Sequence, residues 1–528
     1  MKRIFVSLIV LAIAAFLPLS AFGQKGNVKA EVRKADRQDT SRPLREIAPL
    51  KAGKREYENP MNFVKKGAQT GQTDPVVQSA ADPLVAVVNG LNFEGVGDGL
   101  PSFNVTVAPP DTTGDVGATQ YVQWVNLSFA VFDKTSGAIV YGPAAGNTLW
   151  AGFGGPCETR NDGDPIVQYD QLAGRWIMTQ FALPSGGPYT QCVAVSQTSD
   201  ATGAYNRYSF SYGTAVNDYP HMGVWPDGYY ITYNMFGNNG SAFSGSRVCA
   251  FDRAKMLAGQ PATQQCFQLS TAYGSTLPAD LDGSTLPPAG APNYVINDGT
   301  NALNFWKFHV DWTTPANTTF TGPVSVPVAA FSHPCPTTNR GACVPQPSTQ
   351  QKLESLADRL MYRFAYRNFG THESLVVNQA VSVGSGRKGI HTGIRWYELR
   401  NPGAASPTVY QQGTYSPDAN WRWMGSAAMD KQGNLAIGYS VSSGMVRPSI
   451  RFAARSATDP LNTLGAEVNL FTGTGSQTNT LARWGDYATL SVDPVDDCTM
   501  WFTTEYLATN GTWNWHTRIA SFKLGTCQ

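Results

Sequence analysis

Residues 483–506 read RWGDYATLSVDPVDDCTMWFTTEY. The stretch divides into an inner strand, a tight Asp/Pro turn and a second strand loaded with aromatics. The same grammar recurs along the chain. It stands at residues 164–181 (DPIVQYDQLAGRWIMTQF), 218–234 (DYPHMGVWPDGYYITYN), 358–378 (DRLMYRFAYRNFGTHESLVVN) and 421–440 (WRWMGSAAMDKQGNLAIGYS). Looser copies stand at 115–127 (DVGATQYVQWVNL) and 294–303 (YVINDGTNAL).

Each hairpin is followed by a third strand, beginning at Phe129, Gln191, Arg247, Asn304, Gly393, Ser449 and Thr517, and most by a fourth. One such unit cannot bury both its faces, so repeated units stack radially. The pattern predicts an all-β chain: a β-propeller of seven four-stranded blades, with six or eight left open by the loose copy at 294–303. A two-domain β-sandwich protein is the rival, and periodicity across the whole body argues against it. The chain stops after the third strand of its last unit. An N-terminal segment, residues 85–93 or 103–107, is therefore expected to supply the fourth and close the ring.

Composition agrees. The chain has 528 residues with 15 % charged side chains, and its 52 Gly and 34 Pro supply turns for many short strands. Residues 1–23 read as a secretory signal. Lys2 and Arg3 precede an apolar run over 4–19, and Ala21 and Gly23 are the small residues a signal peptidase reads. No second long apolar run follows, so no membrane segment is expected once the signal is removed. Residues 24–82 are polar and weakly periodic, and 24–66 hold 12 Lys/Arg against 6 Asp/Glu. They read as a disordered basic leader. Residues 83–528 form the propeller domain, whose balance is acidic. An acidic body has no phosphate-neutralising surface and so excludes nucleic acid as a partner.

The 8 cysteines all follow the signal and contain no CxxC, which points to disulfides rather than zinc. Cys249 and Cys266 fall opposite each other on neighbouring strands, as do Cys498 and Cys527. Cys335 and Cys343 close a short loop, leaving Cys157 with Cys192.

Four sets of residues bear on chemistry. Asp115, Asp164, Asp218, Asp358 and Asp486 recur at the start of innermost strands. Converging carboxylates suit Ca²⁺, and Asp115, Asp164, Asp218 and Asp486 are the metal candidates; the same aspartates equally serve as turn caps. Arg359, Arg422 and Arg483 recur near one register and are the candidate anion-binding residues, or else they brace the neighbouring aspartates. Trp513 and Trp515, in NGTWNWH, read as exposed platforms for a sugar face. His372 and Glu373 lack the second His of a zinc-peptidase helix, and neither a GxSxG elbow nor a nucleotide-binding glycine loop is present.

Those arginines give the chain a resemblance to the sialidase and Asp-box class of propellers. The resemblance implies a three-arginine clamp on a substrate carboxylate, a Tyr–Glu nucleophile pair at Tyr487 and Glu373, and Asp164 as acid/base. The chain departs from the family in lacking an F/Y-R-I-P stretch and an intact S-x-D-x-G-x-x-W box. Over residues 85–528, wording such as PPDTTGDVGATQYVQWVN from Pro109 and LPADLDGSTLPPAGAPNY from Leu277 is similar to that of secreted bacterial propeller-like proteins. That likeness implies export and the fold, and brings no catalytic residue.

The expected function is a secreted, monomeric recognition module for a glycan or protein ligand. The alternatives are a sialidase-like glycoside hydrolase on acidic sugars and a structural cell-surface or matrix protein.

Overall fold

The structure is a computed structural model. It describes residues 29–53, 56–57, 70–81, 83, 85–101, 103–336, 338–356, 358–384 and 390–527. The signal expected at 1–23 lies outside them. Among the described residues no helix is long and apolar enough to cross a membrane.

The fold is all-β, built from antiparallel meanders. Thr113–Val116, Gln120–Val125, Ser128–Asp133 and Ile139–Ala145 make the first. Ile166–Asp170, Arg175–Ala182, Tyr189–Ser196 and Tyr205–Gly213 follow, then Val216–Trp225, Gly228–Phe236, Ala242–Phe251 and Thr263–Gln268. A nine-stranded sheet holds two further meanders. One is Leu277–Asp282, Asn293–Gly299, Ala302–His309 and Thr319–Pro327; the other is Met361–Asn368, Glu373–Val383, His391–Arg400 and Thr408–Tyr415. Their first strands pair in parallel, Ala279 with Phe364 through Asp282 with Arg367. Trp421–Met429, Leu435–Ser442, Ser449–Arg455 and Val468–Phe471 come next. The last sheet orders Thr489–Val492, Thr499–Leu507 and Trp515–Leu524, with Val87–Glu94 antiparallel to Trp515–Leu524. Of the two N-terminal segments expected to complete this unit, the earlier one does so. Val107–Ala108 pairs instead with Glu56–Tyr57.

First strands of successive meanders lie side by side, and Thr489–Val492 lies beside Thr113–Val116. The faces between sheets are filled by aromatics that alternation directs inward. Phe452 and Phe522 stack at 3.8 Å between the last two sheets, and Trp124, Trp176 and Trp423 are fully buried.

The loose repeat is corrected. Asn293–Gly299 is the second strand, not the first, while Ala302–His309 is the third strand expected from Asn304. The true first strand, LPADLD, carries Pro278 and two aspartates and shows no strand alternation. It pairs with Asn293–Gly299 only through Leu277 and Pro278, and its remaining length leans on Met361–Asn368.

The four disulfides join the expected pairs: Cys249 with Cys266 and Cys498 with Cys527, read from register, Cys335 with Cys343, read from spacing, and the remaining Cys157 with Cys192. Cys249 and Cys266 are direct partners across two strands.

The leader is also corrected where it is described. Glu31–Lys34 extends the sheet edge at Thr263–Gln268, and Arg37–Thr40 extends the edge at Tyr205–Gly213. Val77–Gln78 pairs in parallel with Thr408–Tyr415. Low hydrophobicity does not prevent this, because an open edge is satisfied by main-chain groups whatever the side chains. The basic and acidic side chains then interdigitate: Asp39 takes a forked pair from buried Arg207 at 2.8 and 2.6 Å, and Glu31 accepts from Arg247 at 2.5 Å. Leu44 is fully buried in the cluster around Trp150, and the Ile47 carbonyl accepts from the Tyr141 hydroxyl at 2.8 Å. The segment thus runs across three successive meanders.

Truncating Leu44 tests that strap. Leu44→Ala removes a buried side chain and is expected to cost about 2–4 kcal/mol, read by urea unfolding of the full chain. An unchanged midpoint would show that residues 29–47 do not hold the sheets.

Candidate functional site

Most first strands of neighbouring meanders do not pair main chain to main chain; among those described, only Leu277–Asp282 and Met361–Asn368 do. Amides of the others are met by side chains. Asp111 Oδ1 accepts from the Asp486 amide at 2.7 Å, Asp164 Oδ2 from Tyr219 at 2.9 Å and Asp115 Oδ2 from Tyr169 at 2.7 Å. Asp280 Oδ1 accepts from Val224 at 2.9 Å, and Ser426 Oγ from Leu490 at 3.0 Å. Each bond crosses from one meander to the next. Asp111 and Asp164 both stand two residues ahead of a first strand at positive φ, 43° and 45°. Short polar side chains tolerate this left-handed turn better than most and bond the chain beyond it.

Asp111, Asp115, Asp164 and Asp280 thus tie one meander to the next, and Asp115 Oδ1 also accepts from its own neighbour, the Val116 amide, at 2.7 Å. Among the described residues no group of three or more His, Cys, Asp or Glu is arranged to hold a metal ion. Asp115 also stands apart from Asp164, Asp218 and Asp486. It sits at the far end of its strand, in the field of Arg363 and Asp280.

At the entry side of the first strands, charge concentrates. Arg483 and Arg340 both donate to Asp486 Oδ1, at 2.7 and 2.6 Å, and both reach Glu354 Oε2, at 3.2 and 3.0 Å. Arg359 donates to Asp358 at 2.8 Å, and its guanidinium lies 4.9 Å from the centre of the Tyr219 ring. Asp218 lies in the field of Asp486, Arg340, Arg483 and Arg359, and it keeps partial contact with solvent. Burial, reinforced by Asp486, pushes its carboxyl up to about 7 despite the three guanidiniums. Burial also raises Asp164 well above the usual range, with Asp218, Asp111 and Asp486 adding to it. Burial alone would raise Asp486 too, but Arg340 and Arg483 outweigh it and hold that carboxylate ionised. His221, packed against Tyr219, Tyr362 and Tyr487, is held neutral by burial and Arg359, its pKa lowered to about 3.

This arrangement divides the residues that sequence had grouped. Arg359 and Arg483 do share a neighbourhood. Arg422 does not belong to it: fully buried in its own meander, it binds Glu467 at 2.7 Å and Asp418 at 2.9 Å, with Arg451 and Tyr439 on the same Glu467. Its register explains the error. Arg422 is inside its first strand, whereas Arg359 and Arg483 precede theirs. The third cation is Arg340, from a loop that the Cys335–Cys343 disulfide constrains; that short disulfide spacing was its one signal in the sequence. Glu373 accepts from Tyr366 at 2.7 Å, and Tyr487 donates to the Pro165 carbonyl at 3.0 Å. Trp515 is buried, its indole donating to the Val107 carbonyl at 2.8 Å, and Trp513 is half-buried.

No family model and no curated protein matches the chain. Several solved structures are similar at low identity. The N-terminal domain of Nup159 is 7 % identical, with 85 % of this chain and 99 % of that chain covered, at a TM-score of 0.36. The Penicillium chrysogenum alpha-L-arabinanase complexed with arabinobiose is 8 % identical, with 84 % and 100 % covered, at 0.34. The phage phi92 endosialidase is 7 % identical, with 84 % and 68 % covered, at 0.31. Likeness this distant assigns no activity.

Asp218 makes the cluster testable. Its pKa rises on folding, from about 3.9 in an unfolded chain to about 7. The folded state then binds more protons between those values, and stability falls as pH climbs through that window. Asp218→Asn removes this slope. Its melting temperature relative to the parent is expected to rise between about pH 4.5 and about pH 7; a constant difference would mean that Asp218 titrates normally.

Proposed function

We propose that the chain is an exported β-propeller of seven four-stranded blades, with Val87–Glu94 as the fourth strand of the last. In this reading it recognises a glycan at the mouth where the first strands begin. The strand pairings and the side-by-side first strands support the ring. Four disulfides suit an oxidising compartment outside the cytoplasm.

One observation carries the functional reading. Asp218 and Asp358 are the partly exposed carboxylates of this group, but Asp358 already holds Arg359, and the three guanidiniums bind Asp486, Glu354 and Asp358. A clamp for an acidic sugar needs arginine donors facing the ligand, and here they face the protein's own carboxylates. A sugar hydroxyl both donates and accepts. It suits a carboxylate flanked by guanidinium edges without requiring charge on the ligand. Tyr487 and Glu373 are engaged elsewhere, so recognition without turnover fits better than glycoside hydrolysis.

Glycan-array binding by the folded, disulfide-bonded protein is expected to be saturable. Asp218→Asn should weaken it about 10- to 100-fold, the cost of one hydrogen bond to a charged group, without lowering the melting temperature. Turnover of sialosides or uronides would restore the hydrolase reading. Absence of any saturable glycan would favour the structural role.

A further inference from the structure

The strap over residues 29–51 sorts its charges by sign. It holds 7 Lys/Arg against 4 Asp/Glu. Three of the four acids bond to the sheets beneath: Asp39 to Arg207, Glu31 to Arg247, and Asp36 to the Ser211 amide at 2.5 Å. Most of the cations do not. Lys29, Lys34, Arg42 and Lys51 are exposed, and their side chains form no ion pair or hydrogen bond among the described residues. Arg37 is exposed too, and lies over the Phe153 ring at 5.9 Å rather than against a carboxylate. Arg33 meets Glu31, and Arg45 meets Asp200 at 3.3 Å. Glu46 is the one acid of the strap left without a cation among the described residues.

The body adds to this row. Lys255 is exposed on the short helix Arg253–Leu257. Asn206 joins that helix to the strap: its amide donates to the Met256 and Leu257 carbonyls at 3.0 and 3.2 Å, and its Oδ1 accepts from Thr40 at 3.1 Å.

Edge pairing lays the row out in a line. Glu31–Lys34 and Arg37–Thr40 run along the outer strands of two meanders, and the Leu50 carbonyl accepts from the Ala145 amide of a third at 2.8 Å. At about 3.3 Å per strand residue, the outward cations are strung over tens of ångströms. No single small anion meets them all, so the guest is a polymer with repeated negative groups. The body beside the strap is acidic overall, so a broad anionic plane such as a bilayer presses against like charge. Duplex nucleic acid, with a persistence length of about 50 nm, is too stiff to turn with the strap across three meanders. A flexible polysaccharide bearing a carboxylate on each sugar meets neither obstacle, and carboxylates suit both lysine and arginine.

We propose that the strap is a docking ribbon for an acidic polysaccharide of the polyuronate class, separate from the mouth where Asp218 stands. Successive carboxylates pair with its outward cations, while its backbone stays in the sheet edges.

The test measures binding of the full, disulfide-bonded chain to immobilised polygalacturonate by biolayer interferometry, at low and high salt. Saturable binding that salt weakens is expected. Lys34→Gln, Arg42→Gln and Lys51→Gln together should weaken it about 10- to 100-fold at low salt, as three charge contacts are lost. The variant should melt with the parent, since none of the three side chains bonds within the described protein. Lys352→Gln, Lys431→Gln and Lys523→Gln together remove the same charge outside the strap and should leave the affinity unchanged. Equal loss in both triple variants would reduce the effect to net charge and overturn the site. Lack of saturable binding, or unchanged binding in the strap variant, would overturn it as well. So would tighter binding to single-stranded oligo-dT or to phosphatidylglycerol vesicles than to polygalacturonate.

Discussion

The structure depends on how the amides of the first strands are satisfied. Successive first strands lie side by side, and among the described residues only Leu277–Asp282 and Met361–Asn368 pair directly. An unmet buried amide costs about 1–3 kcal/mol, and an axis built of many strands multiplies that cost. Asp111, Asp115, Asp164, Asp280 and Ser426 meet it by accepting amides from the neighbouring meander. The solution creates a second problem, because it sinks carboxylates where burial penalises charge. Asp115 and Asp280 are pushed up to about 7 and about 6. Arg363 among Asp280 and Asp282, and Arg340 with Arg483 on Asp486, are the compensating cations. Charge at the axis is thus first a consequence of strand geometry.

The periphery faces the opposite condition. Outer strands have straight, pairable edges, and the chain covers several with its own N-terminal residues. Glu31–Lys34, Arg37–Thr40 and Val77–Gln78 each add main-chain partners to an outer strand, and Val87–Glu94 completes the last sheet. Cys249–Cys266 and Cys498–Cys527 fix outer layers as well, so covalent and edge restraints act on the same perimeter. A polar, highly charged segment suits this work. It pairs through its backbone, and its alternating signs meet Arg207 and Arg247 on the sheets beneath.

Strand grammar made the fold legible because alternation and turn chemistry are local. The hairpins at 164–181, 358–378 and 421–440 appear where the pattern put them. LPADLD was illegible for the same reason. Its place is set by a parallel neighbour some eighty residues on, and nothing local marks it. The four disulfides were readable because register and short spacing constrain them. The leader was misread because composition reports the absence of a core, not the presence of an edge to pair with. At the candidate site, Asp164, Asp218, Asp486, Arg359 and Arg483 were visible as recurrences. Arg340 was not, since a loop residue carries no periodicity, and Arg422 was drawn in although it stands inside its first strand while Arg359 and Arg483 precede theirs.

Once carboxylates are needed to hold the axis together, their presence at a mouth is poor evidence of chemistry. Asp111 and Asp164 would recur in any chain that closed its inner strands this way. What marks a site is a polar group that the inter-strand bonding does not consume. At the entry side that group is Asp218, partly exposed among guanidiniums committed to other carboxylates. At the far side it is Ser491, buried with its hydroxyl unmet, one residue beyond an amide that Ser426 already satisfies. The two mouths also differ in charge for a structural reason. Three arginines meet Asp486, Glu354, Asp358 and Asp218 on the entry side, whereas Arg363 alone faces Asp115, Asp280 and Asp282 on the other, so neither end is fully neutralised by its own cations.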